Sequence, residues 1–246
     1  MLLSTHGIIA QSASSTPAFQ DITSFSFDGV DDFMETNANY TMLDNSQFFS
    51  ISLWVNLPSL STAQRLIYLV GTRRIFMYVR TTGVVDCSMS SSSYFIRSNT
   101  NAITANNWAH IVWTYDGTQS RYNRYNLYVN GVSNVASDNG TIYNSLQTFT
   151  QPLNIGKVSS SYLNGKVNEP AFWNTVLTAS EVLEIYNSGT ANDLNNLPSG
   201  TANPQNWWRS ENATFDGTNW SVPDTNGSFP ITTSNMGVNS IVNDVP

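Results

Sequence analysis

Two tryptophans sit on strand-like stretches in company that suits a sugar. In "FFSISLWVNL", Trp54 shares one face with Ser50, Ser52 and Asn56, while Phe49, Ile51, Leu53 and Val55 take the other. In "NWAHIVWTYDG", Trp108 shares a face with His110, Val112 and Thr114, against Ala109, Ile111, Trp113 and Tyr115. An aromatic ring among hydroxyls and amides can stack on a pyranose while its neighbours bond the sugar hydroxyls. Trp54, Trp108 and His110 are therefore candidate glycan-binding residues. Core packing is the commoner fate of Trp in a β-sandwich, so both readings stay open on sequence. In "NWWR", the adjacent Trp207 and Trp208 must point to opposite faces of any strand, which makes one of them a candidate protein contact.

Other chemistry is thin. The single cysteine, Cys87, allows no intrachain disulfide and no Cys-based zinc cluster. It lies in the apolar run "GVVDCSM", where a small buried hydrophobe is expected, and a thiol nucleophile would have only His6 or His110 for a base. The loop "FDGVDD" gathers Asp28, Asp31 and Asp32; its local reading is a turn in which Asp28 caps itself.

Composition narrows the field further. Only 11% of the 246 residues are charged and the net charge is −7, with ten Lys and Arg dispersed along the chain. No basic stripe is present to neutralise a phosphate backbone, so nucleic acid is not an expected partner. Arg73-Arg74 and Arg121/Arg124 are the local concentrations, and solvated turn residues suffice for them. The start "MLLSTHGIIAQSAS" has no cationic n-region, and its apolar residues are interrupted by Ser4, Thr5, His6 and Gly7. Neither a secretory signal nor a membrane-spanning helix is expected there; synthesis in a cytoplasm without general secretory export is.

The elements that must position these residues are strands. Period-2 alternation continues through "RLIYLV" (65–70) and "RIFMYVR" (74–80), and Asn130-Gly131 joins "NLYV" to "VSNVA" as a two-residue hairpin turn. Short strands with Gly-containing turns predict an all-β, two-sheet antiparallel jelly-roll sandwich. One helix interrupts the pattern near 179–187: Thr178 and Glu181 form a capping box, Val182, Leu183, Ile185 and Tyr186 make an apolar stripe, and Gly189 is the expected stop. The organisation expected is an N-terminal anchoring arm (1–23), a jelly roll (24–189) and a C-terminal extension (190–246) packing on the sandwich or on a neighbouring subunit. Both flanks look unable to order themselves. Leu2, Leu3, Ile8 and Ile9 suit docking into a groove on another subunit.

Six ordered stretches carry a resemblance: "FSFDGVDDFMET", "FSISLWVNL", "NNWAHIVWTYDG", "NLYVNG", "LNIGK" and "LNGKVNEPAFWNTVLTASEVLEIYN". Over residues 24–188 the chain resembles the laminin-G-like, concanavalin A-like lectin/glucanase jelly rolls. Pro170 departs from the valine usual in that family, and a proline there implies an edge strand or a bulge.

The resemblance implies no required cofactor and a possible structural Ca²⁺, with Asp28, Asp31, Asp32 and Glu169 as its ligands. Glucanases of this fold carry E-x-D-x-x-E or E-x-D-x-E, and neither spacing occurs here, so no catalytic residue is assigned. The start "MLLSTHGII" and the tail "WWRSENATFDGTNWSVPDTNGS" resemble segments of bacteriophage virion proteins, the tail those of marine phages. Together these likenesses imply a non-enzymatic virion-surface protein, a head decoration or tail-fibre component made in the host cytoplasm. Its expected partners are other virion proteins, copies of itself as a homotrimer, and host surface glycans. A bacterial surface or secreted adhesin is the alternative, and a glycoside hydrolase the remote one.

Overall fold

In the computed structural model, which describes residues 19–89, 95–139 and 143–246, hairpins build the first half of the chain. Strands β1 (Ser24–Asp28), β2 (Phe33–Thr36) and β3 (Phe48–Asn56) come first. A four-strand meander follows: β4 (Gln64–Val70), β5 (Arg74–Val79), β6 (Val85–Ser88) and β7 (Phe95–Arg97). Then come β8 (Trp108–Asp116), β9 (Tyr125–Val129), β10 (Val132–Ser133) and β11 (Ser137–Asn139). The short β12 (Asn154–Ile155), β13 (Lys157–Val158) and β14 (Ser161–Tyr162) precede the long β15 (Asn164–Trp173) and the helix α1 (Ala179–Tyr186). Five strands close the chain: β16 (Asn206–Trp207), β17 (Thr214–Phe215), β18 (Trp220–Val222), β19 (Ile231–Ser234) and β20 (Ile241–Val242).

These form two antiparallel sheets. One has eight strands in the order β10-β9-β8-β3-β15-β1-β20, with β16 also on β15; the other has ten, in the order β11-β7-β6-β5-β4-β12-β2-β19-β18-β17. Alternation decides what lies between them. Phe49, Ile51, Leu53 and Val55 of β3 and Ile111 and Trp113 of β8 meet Leu69, Ile75, Met77 and Val85 of the facing sheet in one buried core. Each such side chain contributes about 1.5–3 kcal/mol by leaving water. Cys87 belongs to that core, as a buried hydrophobe should. At the β9–β10 hairpin Asn130 and Gly131 both take positive φ, 51° and 76°, which is why this dipeptide turns there.

The outer face of the eight-stranded sheet is covered as well. Val182 and Ile185 of α1, with Leu177, Leu194, Leu197 and Trp207, pack on Val112, Tyr128, Ala171 and Trp173. The helix begins at the expected capping box: the Glu181 amide donates to the Thr178 hydroxyl, and the Thr178 amide donates to the Glu181 carboxylate. It spans the expected stretch to within a residue, but its C-cap is Asn187, in the left-handed conformation, rather than Gly189.

Pro170 lies in a bulge, not on an edge. The register against β3 shifts between Asn168 and Ala171, Glu169 takes φ 50°, and β15 is paired on both sides. In the C-terminal segment, expected to pack on the sandwich or on a neighbouring subunit, β16 pairs β15, β19 pairs β2 and β20 pairs β1, so the segment extends both sheets of its own chain. Strand pairing and the burial of Leu194, Trp207, Trp208, Val222, Ile231 and Met236 in the two apolar clusters order it. Leu2, Leu3, Ile8 and Ile9 lie outside the described residues.

Candidate functional site

The aromatic face proposed around Trp54 is closed. Trp54 is 3% and His110 1% exposed, with their rings 4.7 Å apart and Tyr186 of α1 stacked 5.6 Å from Trp54. The Ser52 hydroxyl bonds His110 Nε2 at 2.7 Å, and burial lowers the imidazole to about 3, so it stays neutral. A helix laid across this face leaves Trp54 and His110 no surface for a sugar. Trp108 is half-buried and donates its indole N–H to Asp244 at 3.0 Å, a link to the C-terminal segment. Trp207 and Trp208 do point to opposite sides, one into each apolar cluster, but both sides are covered and neither faces outward.

The four acids proposed for calcium separate into two places. Asp28, Asp31 and Asp32 bring carboxylate oxygens within 4.8 Å of one another. Asp28 Oδ1 accepts the amides of Val30 and Asp31, and Asp32 Oδ2 accepts that of Asp28, so part of the set is spent on the turn itself. Ca²⁺ takes roughly six to eight oxygens. Three acids, two of them already engaged, fit it only in part.

Glu169 is elsewhere, buried beside the half-buried Asp21 and Glu211. It accepts the Trp207 indole N–H and, at 3.1 Å, Arg209 Nε. Burial, opposed by Arg209 and helped by Asp21 and Glu211, pushes its carboxyl up to about 8. This cluster ties the chain before β1 to β15 and to the residues after β16: Asn168 donates to Asp21, and Ile22 and Thr23 donate to Glu211.

A second candidate is the outer face of the β4–β7 meander, where Arg65, Tyr68 and Phe76 are partly exposed among the described residues. The strands pair so that Arg65, Tyr78, Asp86 and Arg97 stand in one cross-strand row, and Tyr68, Phe76 and Ser88 in the next. Asp86 is fully buried and organises its row. One of its oxygens accepts the Tyr78 hydroxyl at 2.7 Å and Arg80 Nε; the other accepts Arg97 Nε at 2.9 Å. Burial and then this bond push the Tyr78 phenol up to about 12, fixing it as a donor. Arg65 lies with its guanidinium carbon 5.0 Å from the Tyr78 ring centroid and 5.8 Å from that of Phe76. Phe76 stacks on Tyr78 at 4.8 Å and meets Tyr68 edge-on, and both Phe76 and Tyr68 remain partly exposed. A pocket of about 280 Å³ opens beside Arg65, Tyr78 and Arg80, rimmed by Thr81 and Thr82.

Sequence reasoning passed over this face because its arginines lie at 65, 80 and 97 and only strand register joins them. A signal was present in "RIFMYVR", where Phe76, Tyr78 and Arg80 alternate with the core residues Ile75, Met77 and Val79. Large aromatic and cationic side chains on the solvent side of a strand mark a surface built for contact.

Residues 28–183 match the family model described as the concanavalin A-like lectin/glucanases superfamily, and the chain belongs to that family. Its fold is that of a lectin-like jelly roll. Among solved structures it is similar to a putative carbohydrate binding protein from Bacteroides ovatus, at 15% identity and TM-score 0.64, over 92% of this chain and 60% of that protein. It is also similar to the native heptameric SAP-like pentraxin from Limulus polyphemus, at 15% identity and TM-score 0.51, over 67% of this chain and 82% of that one. At such identities the likeness is one of fold. No curated protein sequence matches the chain.

Proposed function

We propose that the protein is a non-enzymatic glycan-binding module carried on a bacteriophage virion, as a head decoration or tail-fibre component. It engages sugar through the outer face of β4–β7. One observation carries the binding part: a sheet face that presents Tyr68 and Phe76, both partly exposed among the described residues, beside Arg65 and a pocket, on a lectin-like jelly roll. Aromatic rings supply the stacking surface and guanidiniums supply directed donors.

The absence of catalysis is supported by the acids. Glycoside hydrolysis by the usual route needs two carboxyl groups flanking the scissile bond. Asp86 is the sole carboxylate on β4–β7, and it is buried and engaged by two arginines. The virion placement is supported by the phage-like sequence at the two ends. Attachment through the arm at 1–23, as a homotrimer, belongs to the same reading.

A glycan array read together with a reducing-end assay tests it. Binding without release of reducing ends supports the reading, and release from any β-glucan overturns its non-enzymatic part. Detection of the protein in purified particles supports the virion placement; a gene neighbourhood of transporters contradicts it.

A further inference from the structure

A polar pocket of about 250 Å³ opens at the end of the eight-stranded sheet, away from the sheet that holds β4–β7. Strand register builds its floor. Ser26 of β1 stands against Lys166 of β15, Lys166 against Asn56 of β3, and Asn56 against Trp108 of β8. Their sequence neighbours Phe27, Val167, Val55 and Ala109 go to the core, so this row lies on the outer side. Asn164, at the start of β15, and Asn106, in the loop before β8, line the pocket with Asp244. The Asp244 carboxylate accepts the Lys166 ammonium and, at 3.0 Å, the Trp108 indole N–H.

The charges here are already matched. The Lys166 ammonium and then the Trp108 indole hold the Asp244 carboxyl below the usual carboxylate range, so the pair stays ionised and neutralises itself. An anion would meet Asp244 and a cation Lys166, so neither class is favoured. What is left unused is uncharged. The side-chain amides of Asn56, Asn106 and Asn164 and the Ser26 hydroxyl make no hydrogen bond among the described residues. Each of them both donates and accepts, as the hydroxyls of a sugar do. Trp108, at the end of the row, keeps its ring partly exposed for the C–H edge of such a ligand.

We propose that this pocket takes one uncharged sugar unit, its hydroxyls bonded by the amides of Asn56, Asn106 and Asn164 and its ring edge against Trp108. The site shares no residue with the β4–β7 face, so either stands or falls without the other.

Nuclear magnetic resonance titration of the intact protein with neutral methyl hexosides and methyl N-acetylhexosaminides tests this, with methyl hexuronides as charged controls. At least one neutral glycoside should shift the Trp108 indole N–H and asparagine amide signals saturably, with an affinity that added salt leaves unchanged. The Asn56→Ala/Asn106→Gly variant should bind it about tenfold or more weaker. Neither side chain bonds the fold, and Asn106 sits at φ 59°, which glycine adopts freely, so circular dichroism of this variant should match the parent. Tyr68→Ala/Phe76→Ala should bind the same glycoside undiminished. Undiminished binding by Asn56→Ala/Asn106→Gly overturns the pocket, and loss in Tyr68→Ala/Phe76→Ala instead assigns the sugar to the β4–β7 face. Binding of the hexuronides alone overturns the uncharged class. A panel without a binder at millimolar concentration overturns the proposal and leaves the β4–β7 reading to its own test.

Discussion

Asp86 and Arg97 face each other across β6 and β7 with the carboxylate fully buried and Arg97 Nε 2.9 Å away, and the same carboxylate binds Arg80 and Tyr78 from β5 and the residue after it. One acid therefore fixes three side chains of the outer face. The strands bring these residues together, and Asp86 sets their rotamers.

Asp86→Ala should loosen that face and destabilise the fold. Breaking a buried ion pair costs about 3–5 kcal/mol, but Arg80 and Arg97 reach solvent and can recover hydration, so a loss of about 1–3 kcal/mol is expected. Urea unfolding measures it. An unchanged midpoint would show that Asp86 does not organise the row.

Stability should fall as pH rises through the neutral range. Glu169 is pushed up to about 8, and Asp21 and Asp32 up to about 6, in each case mainly by burial. Each raised acid binds more protons folded than unfolded between its two pKa values. Its contribution is therefore present at low pH and lost as pH climbs, from about 4 to 6 for the aspartates and from about 4.5 to 8 for Glu169. Glu169→Gln should flatten the loss above pH 6 by about 1–2 kcal/mol, because an amide keeps the buried shape without the charge. Melting curves at pH 5.5, 7 and 8.5 read the slope, and stability rising over that range would contradict the burial argument.

Removal of the capping box should be felt at the covered face. Thr178→Ala leaves the Glu181 amide without its acceptor and is expected to cost about 0.5–2 kcal/mol, read by thermal unfolding. Because Tyr186 of the same helix stacks on Trp54, tryptophan emission should shift to longer wavelength well before global unfolding. Coincident transitions would mean that α1 does not open separately.

The strands, the Asn130-Gly131 hairpin and the Thr178–Glu181 box were legible because each depends on neighbours in sequence. Exposure was not. The outward face of β3 reads as polar in Ser50, Ser52 and Asn56, yet α1 covers Trp54, and a period of two cannot say whether the second face meets water or a third layer. Trp207 and Trp208 obey the alternation and still both vanish from the surface, because the C-terminal segment passes between two apolar clusters. Glu169 left the proposed calcium set because the Pro170 bulge puts it at positive φ, among residues from both ends of the described chain. The row from Arg65 to Arg97 required the register of four strands, which no local motif encodes.

The most direct test of glycan binding by the β4–β7 face is titration of one array-identified oligosaccharide into the parent protein and into the Tyr68→Ala/Phe76→Ala double variant. Both side chains are partly exposed, so folding should survive, and circular dichroism checks that it does. Affinity reduced about tenfold or more in the folded double variant is the expected result. Undiminished affinity would place the sugar elsewhere on the molecule and contradict the assignment of this face.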